Sequence, residues 1–224
     1  MNTILEYLAD LEKNNNREWY HANKERLQQA DAEFEHMIGE LIAIIGEFDS
    51  GVIHNNPKDL TFKLARDTRF SHDKSPYNPA FRAHISSKGK LPIPVGYYIF
   101  IAHGGRSFLG GGLFAAMFKD ATAMVRDYIA AHGDKLDAII SAKTFTDYFV
   151  LKGDALKNVP KGYDFNHPQA EYLKYMSWYL EYPVSDAEVS QDGLVKKAAQ
   201  LFKYMKPFND YLNEALRDFN MPSR

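Results

Sequence analysis

Trp19, Asn23, Leu27, Ala30, Phe34, Met37, Leu41, Ile45 and Phe48 follow one another at steps of three or four residues. That rhythm puts them on one face of a helix. Unbroken, the helix would run about 45–50 Å, which is long for a globular protein, so a bend is expected within it. A second stripe of the same kind closes the chain: Leu194, Ala198, Leu201, Met205, Phe208, Leu212, Leu216 and Phe219, with Pro207 expected to kink it. A shorter helix precedes the first stripe. Thr3 and Glu6 have the spacing of a capping box, Ile4, Leu8 and Leu11 share a face, and Asn14-Asn15-Asn16 stops it. Asn16 is then placed to cap the helix that follows, because its side chain can accept bonds from orphaned amides.

Between the two stripes the rhythm changes from helical to alternating. "LTFKLA" (60–65) sets Leu60, Phe62 and Leu64 against Thr61, Lys63 and Ala65, the pattern of a half-buried strand. "AFRAHIS" alternates again, "VGYYIFIAH" is apolar on both faces as a central strand would be, and "GGR" leads tightly into "SFLGGGLF". Together these predict an antiparallel meander over residues 60–114. Residues 115–132 then read as a helix, with Gly133 as a left-handed C-cap and a shorter helix over 134–142. Two short strands are expected about Gly153-Asp154, and a short helix with Pro168 as its first residue. "MSWYLEYPV" reads as an edge strand that Pro183 ends, and Ser185 with Glu188 forms a second capping box. No linker or repeat interrupts the chain. The expected fold is α+β, a single domain over residues 1–224. Its central, mainly antiparallel sheet is packed by the long N-terminal and C-terminal helices.

Composition removes several classes of function. With 224 residues the chain can bury a real core, and 45% apolar with 25% charged residues is ordinary for a globular protein. The absence of cysteine removes disulfides, thiolate metal sites and thiol catalysis. The opening "MNTILEYLADLEKNNN" lacks the layout of a secretory signal, and no apolar run reaches the length of a membrane span. A cytoplasmic setting and no membrane partner are therefore expected. A net charge of −2 makes nucleic acid the least favoured partner.

One segment breaks from this even distribution of charge. In "LARDTRFSHDKSPYNPAFRAH" (64–84), Pro76 and Pro79 forbid helix. Lys63, Arg66, Arg69, Lys74 and Arg82 against Asp67 and Asp73 give this region a local balance of +3, leaving −5 for the rest of the chain. If strand parity continues past Leu64, Arg66 faces the core and needs a partner, for which Asp73 is better placed than Asp67. Two readings follow. In one, Arg66, Arg69, Asp73, Lys74 and Tyr77 form a site for a small anion bearing phosphate or carboxylate, with arginine forks and a tyrosine hydroxyl on its oxygens. In the other, the cluster braces the loop, and the protein is a scaffold or interaction domain.

The motifs "NNNREWYHANK", "RDTRFSHDKSPYN", "GYYIFI" with "SFLGGGL", and "LKNVPKGYDFNHP" occur in this order. Together they resemble the family of conserved hypothetical proteins named domain of unknown function 2461, across roughly residues 3–217. The resemblance implies one domain and brings with it no activity, ligand or catalytic residue. It also leads one to expect lysine after the tyrosine of "YNPAF", where this chain has Asn78.

Other residues extend the ligand reading. Trp19 and Asn23 are candidates for a pocket wall, or else a core ring and a backbone-bonded amide. Lys161 and His167 of "PKGYDFNHP" are further wall candidates, although His167 before a proline also suits a simple loop end. Of the eight histidines only His84 and His103 are placed to meet across strands, and no metal-binding motif is present, so no metal and no cofactor are expected. "FLGGGLF" lacks the Lys-Ser/Thr of a phosphate loop, and its glycines suit close approach of a helix or ligand. No nucleophile–base pair can be named from spacing, so no catalytic residue and no reaction are assigned.

Overall fold

The computed structural model describes residues 2–114 and 118–222. Helix α1 (Asn2–Lys13) buries Ile4, Leu5, Tyr7, Leu8 and Leu11; it starts at Asn2, so Thr3 lies inside the first turn and is not the cap. Asn16 opens α2 (Arg17–Ala22), its side chain accepting a 2.9 Å hydrogen bond from the Trp19 N–H. The expected bend in the long stripe falls at Asn23, whose φ of −108° and ψ of 27° separate α2 from α3 (Lys24–Gly46). α3 buries Ala30, Phe34, Met37, Ile38, Leu41, Ile42 and Ile45.

The "LTFKLA" strand does not form. Pro57 and the Asn56 side chain, which accepts from the Lys58 N–H, start a turn of helix, α4 (Pro57–Leu60). Beyond it, pairing is divided between two partners. Thr61 bridges Ala83 and the Phe62 N–H bonds to Arg82, but Ala65 bridges Tyr77, on the loop's own return. Divided between the two, the segment makes isolated bridges and no ladder.

The sheet proper has four antiparallel strands in the order β1 (Ala80–Ile85), β2 (Tyr97–Ala102), β3 (Ser107–Leu113) and β4 (Trp178–Val184). Pro183 lies inside β4, opposite Phe108, which an edge strand tolerates because its outer side needs no continuous row of donors. Between β3 and β4 come α5 (Lys119–Ala131), α6 (Gly133–Ser141), α7 (Lys143–Thr146) and α8 (Ala170–Leu173). The start of the expected helix at 115–117 lies outside the described residues. Gly133 is not a left-handed cap: its φ is not positive, α5 ends on His132, and Gly133 opens α6. Its missing side chain makes room for Gln169, whose Cγ would stand 2.3 Å from a Cβ there.

The two strands expected about Gly153 reduce to single bridges, Lys152 to Tyr179 and Ala155 to Tyr175. Turn-like bonds replace a ladder there, with the Asp154 N–H donating to the Ser177 hydroxyl and the Met176 N–H to the Asp154 carbonyl. Pro168 precedes α8 by two residues, because the His167 ring accepts the Gln169 N–H and Gln169 takes the cap position. The Ser185–Glu188 capping box is present in full and starts α9 (Asp186–Val189), after which α10 (Leu194–Ala215) closes the fold.

α1, α3 and α10 lie on one face of the sheet. Phe81 packs on Tyr7 and Phe34, and Tyr97 on Phe202. A Cβ at Gly111 would stand 3.0 Å from Asn209 Oδ1 and 3.1 Å from Met205 Sδ of α10, so this glycine of β3 allows close approach of a helix. One continuous apolar cluster runs from Ile4 to Leu216. The architecture is α+β, and among the described residues no helix is long and apolar enough to cross a membrane.

Candidate ligand-binding cleft

In the charged loop the cations are held by the loop's own oxygens, the arginines by carboxylates and Lys74 by a backbone carbonyl. The Arg66 guanidinium pairs with Asp73, and its second amino group reaches Ser71 Oγ at 3.3 Å. Arg69, with 77% of its side chain exposed, grips the Asp67 carboxylate through Nε (3.0 and 3.1 Å) and Nη2 (2.6 Å). Lys74 donates to the Thr68 carbonyl at 3.0 Å. Hydrogen bonds from Ser75, and then the Arg66 guanidinium, hold the Asp73 carboxyl well below the usual carboxylate range. Tyr77 is buried and stacks on Tyr20 with ring centroids 3.9 Å apart. Asn15 bonds both the N–H and the carbonyl of Tyr77 and so ties the loop's return to the end of α1.

The other sequence candidates fall into two places. Trp19 packs on Tyr7 at 5.7 Å, and Asn23 donates to the Trp19 carbonyl and accepts from Arg26. It is Tyr20, next to Trp19, that carries the stack on Tyr77 of the loop. His167 lies against α5 instead, its Nε2 meeting the Ala130 carbonyl at 3.1 Å while Nδ1 accepts from Gln169, and Lys161 is exposed in the loop before it. His84 and His103 do not meet: His84 is opposite Tyr98, while His103 follows the far end of β2.

The larger concavity is on the other face of the sheet. Strand pairing puts Arg82, Phe100, Phe108 and Pro183 in one row across the four strands, and His84, Tyr98, Gly110 and Glu181 in the next. Among the described residues, the long helices α3 and α10 pack on the opposite face, away from these rows. A cleft of about 770 Å3 opens over them, walled by Phe62, Tyr98, Phe100, Phe108, Phe114 and Phe118. The rings touch, with Phe100 stacked on Phe108 at 4.9 Å and Phe114 on Tyr179 at 4.2 Å. Across the entrance lies the β1–β2 connection, which supplies Lys90, Leu91 and Pro92 to the wall and contains a cis Ile93–Pro94 bond.

Two glycines shape this site. At Gly96 a Cβ would stand 2.1 Å from the Ile85 carbonyl oxygen, so only glycine lets β2 begin there. Gly112 has φ +97° and bends β3 at the cleft wall. α10 holds both from behind: Asn209 Oδ1 accepts from the Gly112 N–H at 2.9 Å, and its Nδ2 donates to the Gly96 carbonyl at 3.0 Å. Asn213 bonds both backbone groups of Val95 in the same way.

Few polar groups enter the cleft. His84 is buried in its wall, and its Nδ1 makes no hydrogen bond. Burial pushes the imidazole down to about 4, against the opposing pull of the Leu91 and Lys90 backbone beside the ring, so it is neutral at pH 7. Burial raises the Tyr98 hydroxyl, with the nearby Arg82 guanidinium pulling the other way. Arg82 sits 5.6 Å over the Phe62 ring, donates to the Lys63 carbonyl, and has a buried Nε with no partner. Lys90 Nζ lies 5.9 Å from the same ring and donates to the Thr61 carbonyl at 3.1 Å. The cavity is aromatic with a few polar groups, and its size falls within the roughly 300–1,000 Å3 usual for organic-ligand sites.

None of these wall residues was a candidate from the sequence alone except His84, and that only as a metal ligand. The signal was present in "YYIFI", apolar on both faces. One face is explained by the helices, and the aromatic excess on the other had no protein partner to account for it.

No curated protein matches the chain, and no solved structure does. The family model of conserved hypothetical proteins, domain of unknown function 2461, matches residues 3–211, and the chain belongs to that family.

Proposed function

We propose that this protein binds a small organic molecule in the aromatic cleft on the helix-free face of its sheet. The observation that carries the reading is the cleft itself, about 770 Å3 of space walled by six aromatic rings with the unpartnered Nδ1 of His84 in its wall. Apolar walls supply binding energy roughly in proportion to the area they cover, and a single buried polar atom sets orientation. Less supports an anion site at Arg66, Arg69 and Lys74, because each of those cations already has an oxygen partner within the loop. The same pairing is what a loop brace in a scaffold protein would need, and the scaffold reading predicts no ligand in the cleft. A cytoplasmic setting is part of the proposal, supported by a chain free of cysteine.

The test uses the neutral dye N-phenyl-1-naphthylamine, whose fluorescence rises in apolar surroundings. The folded protein should bind it saturably, and Phe108→Asp, which puts a carboxylate in the middle of the wall at a partly exposed position, should weaken binding about tenfold or more. Circular dichroism checks that the variant is folded. No binding to the native protein, or equal binding to both, would overturn the proposal.

A further inference from the structure

The chemistry around the cleft also indicates what class of molecule fits. Among the described residues lining it, Lys90 is the one charged side chain, since His84 is buried and neutral. Lys90 and Arg82 converge on the Phe62 ring from 5.9 and 5.6 Å. Every other feature of the two cations distinguishes them from the loop arginines. Arg66 and Arg69 each hold a carboxylate, whereas among the described residues neither Lys90 nor Arg82 has one. Lys90 is tethered to the Thr61 carbonyl, and Arg82 to the Lys63 carbonyl and the Tyr98 hydroxyl, all of them uncharged. Such bonds fix the position of a cation without neutralising its charge, and an ammonium with one donor used keeps two. The acid on this face of the sheet, Glu181, is engaged 2.9 Å from Lys152 on the β4 side.

Resting on the cleft as the binding site, we propose that its ligand is an organic anion. A planar aromatic or conjugated body lies against Phe100 and Phe108, and a carboxylate, sulfonate or phosphate points to Lys90 at the entrance. Two observations carry this independently of each other. The walls are largely aromatic, which suits a body that is itself aromatic or conjugated. The entrance holds positive charge that no carboxylate among the described residues offsets, and the exposed Lys90 ammonium is open to an incoming anion. His84 Nδ1 adds one hydrogen-bonding position in the wall, within a ring whose other surroundings are apolar or backbone.

Two dyes of similar shape and different charge separate this inference from the reading it rests on. 1-Anilinonaphthalene-8-sulfonate carries an aromatic body and a sulfonate, and N-phenyl-1-naphthylamine carries the body alone. The native protein should bind the sulfonate the more tightly. Lys90→Gln should weaken the sulfonate several-fold and Lys90→Glu about tenfold or more, with the neutral dye changed less than about twofold in either variant. Lys90 is exposed, so both variants should fold, and unchanged binding of the neutral dye confirms it. Binding of both dyes with no response of the sulfonate to Lys90→Glu would overturn the anion inference while leaving the cleft as a site. Failure of both dyes to bind the native protein would overturn both.

Discussion

His84 shows how much a single position depends on its neighbours. In the sequence it is one histidine of eight, and alternation within "AFRAHIS" says only that it faces away from Phe81 and Ala83. Its burial comes from elsewhere: from Tyr98 opposite it on β2, and from the Lys90–Leu91 backbone beside its ring. A buried neutral imidazole has a consequence for stability. Its folded value of about 4 lies below the ordinary 6.5, so as pH falls through this window the unfolded chain takes up a proton before the folded one does. The stability is present above pH 6.5 and is lost as pH falls toward 4. His84→Gln should remove that slope. Between pH 7.5 and 4.5 the native chain should lose about 2 kcal/mol more stability than the variant, read from urea midpoints at each pH. Asp31 works in the opposite direction: burial and then the Glu35 charge push it up to about 6, against Lys58. It is unchanged in the variant, so its contribution cancels in the comparison. Equal losses in the two proteins would show that the imidazole is solvated and not part of a dry wall.

At the scale of elements, what could be read from the sequence is what local periodicity controls. The stripes of α3 and α10, the Ser185–Glu188 cap and the alternation of β1 to β3 depend on neighbours within a few residues. "LTFKLA" misleads because alternation shows which faces are apolar and does not supply a partner; here two incomplete partners divide the segment. Gly133 misleads in a similar way, since a glycine at a helix end can serve a turn or a close contact, and Gln169, distant in sequence, decides for contact. The α10 stripe also conceals a device that helical spacing does not reveal. Asn209 falls on its buried face, 2% exposed, where an apolar residue would continue the pattern. Its amide joins Gly96 of the β2 approach to Gly112 of β3, and through them the helix sets the width of the cleft. Asn209→Ala would leave a buried N–H and a buried carbonyl without partners. The expected cost is about 3 kcal/mol, seen as a lower urea midpoint with an unchanged slope. A loss below about 0.5 kcal/mol would mean that water replaces the amide and that α10 does not hold the cleft in shape.

For the whole molecule, the order of helical and alternating segments indicates helices on an antiparallel sheet, and the structure has that form. What the order could not indicate is the asymmetry of the sheet, one face sealed by α1, α3 and α10 and the other open over a row of aromatic rings. Which face is sealed depends on how three helices from opposite ends of the chain meet. That meeting has a testable consequence, because the apolar cluster runs without a break from Ile4 to Leu216 and includes both the N-terminal helices and β4. If these parts form one cooperative unit, they should unfold together. The two tryptophans are well placed to test this. Trp19 sits partly buried beside Tyr7 on α2, and Trp178 is fully buried at the start of β4, its indole N–H donating to the Tyr172 carbonyl at 3.0 Å. In Trp19→Phe, a mild change at a partly buried site, fluorescence reports on Trp178 alone while far-UV circular dichroism reports largely on the helices. The two signals should trace one urea transition with one midpoint, and the native protein should show the same coincidence. A fluorescence midpoint displaced from the dichroism midpoint would divide the chain into separately folding parts. The N-terminal helices could then no longer be treated as the fixed backing against which the open face of the sheet is held.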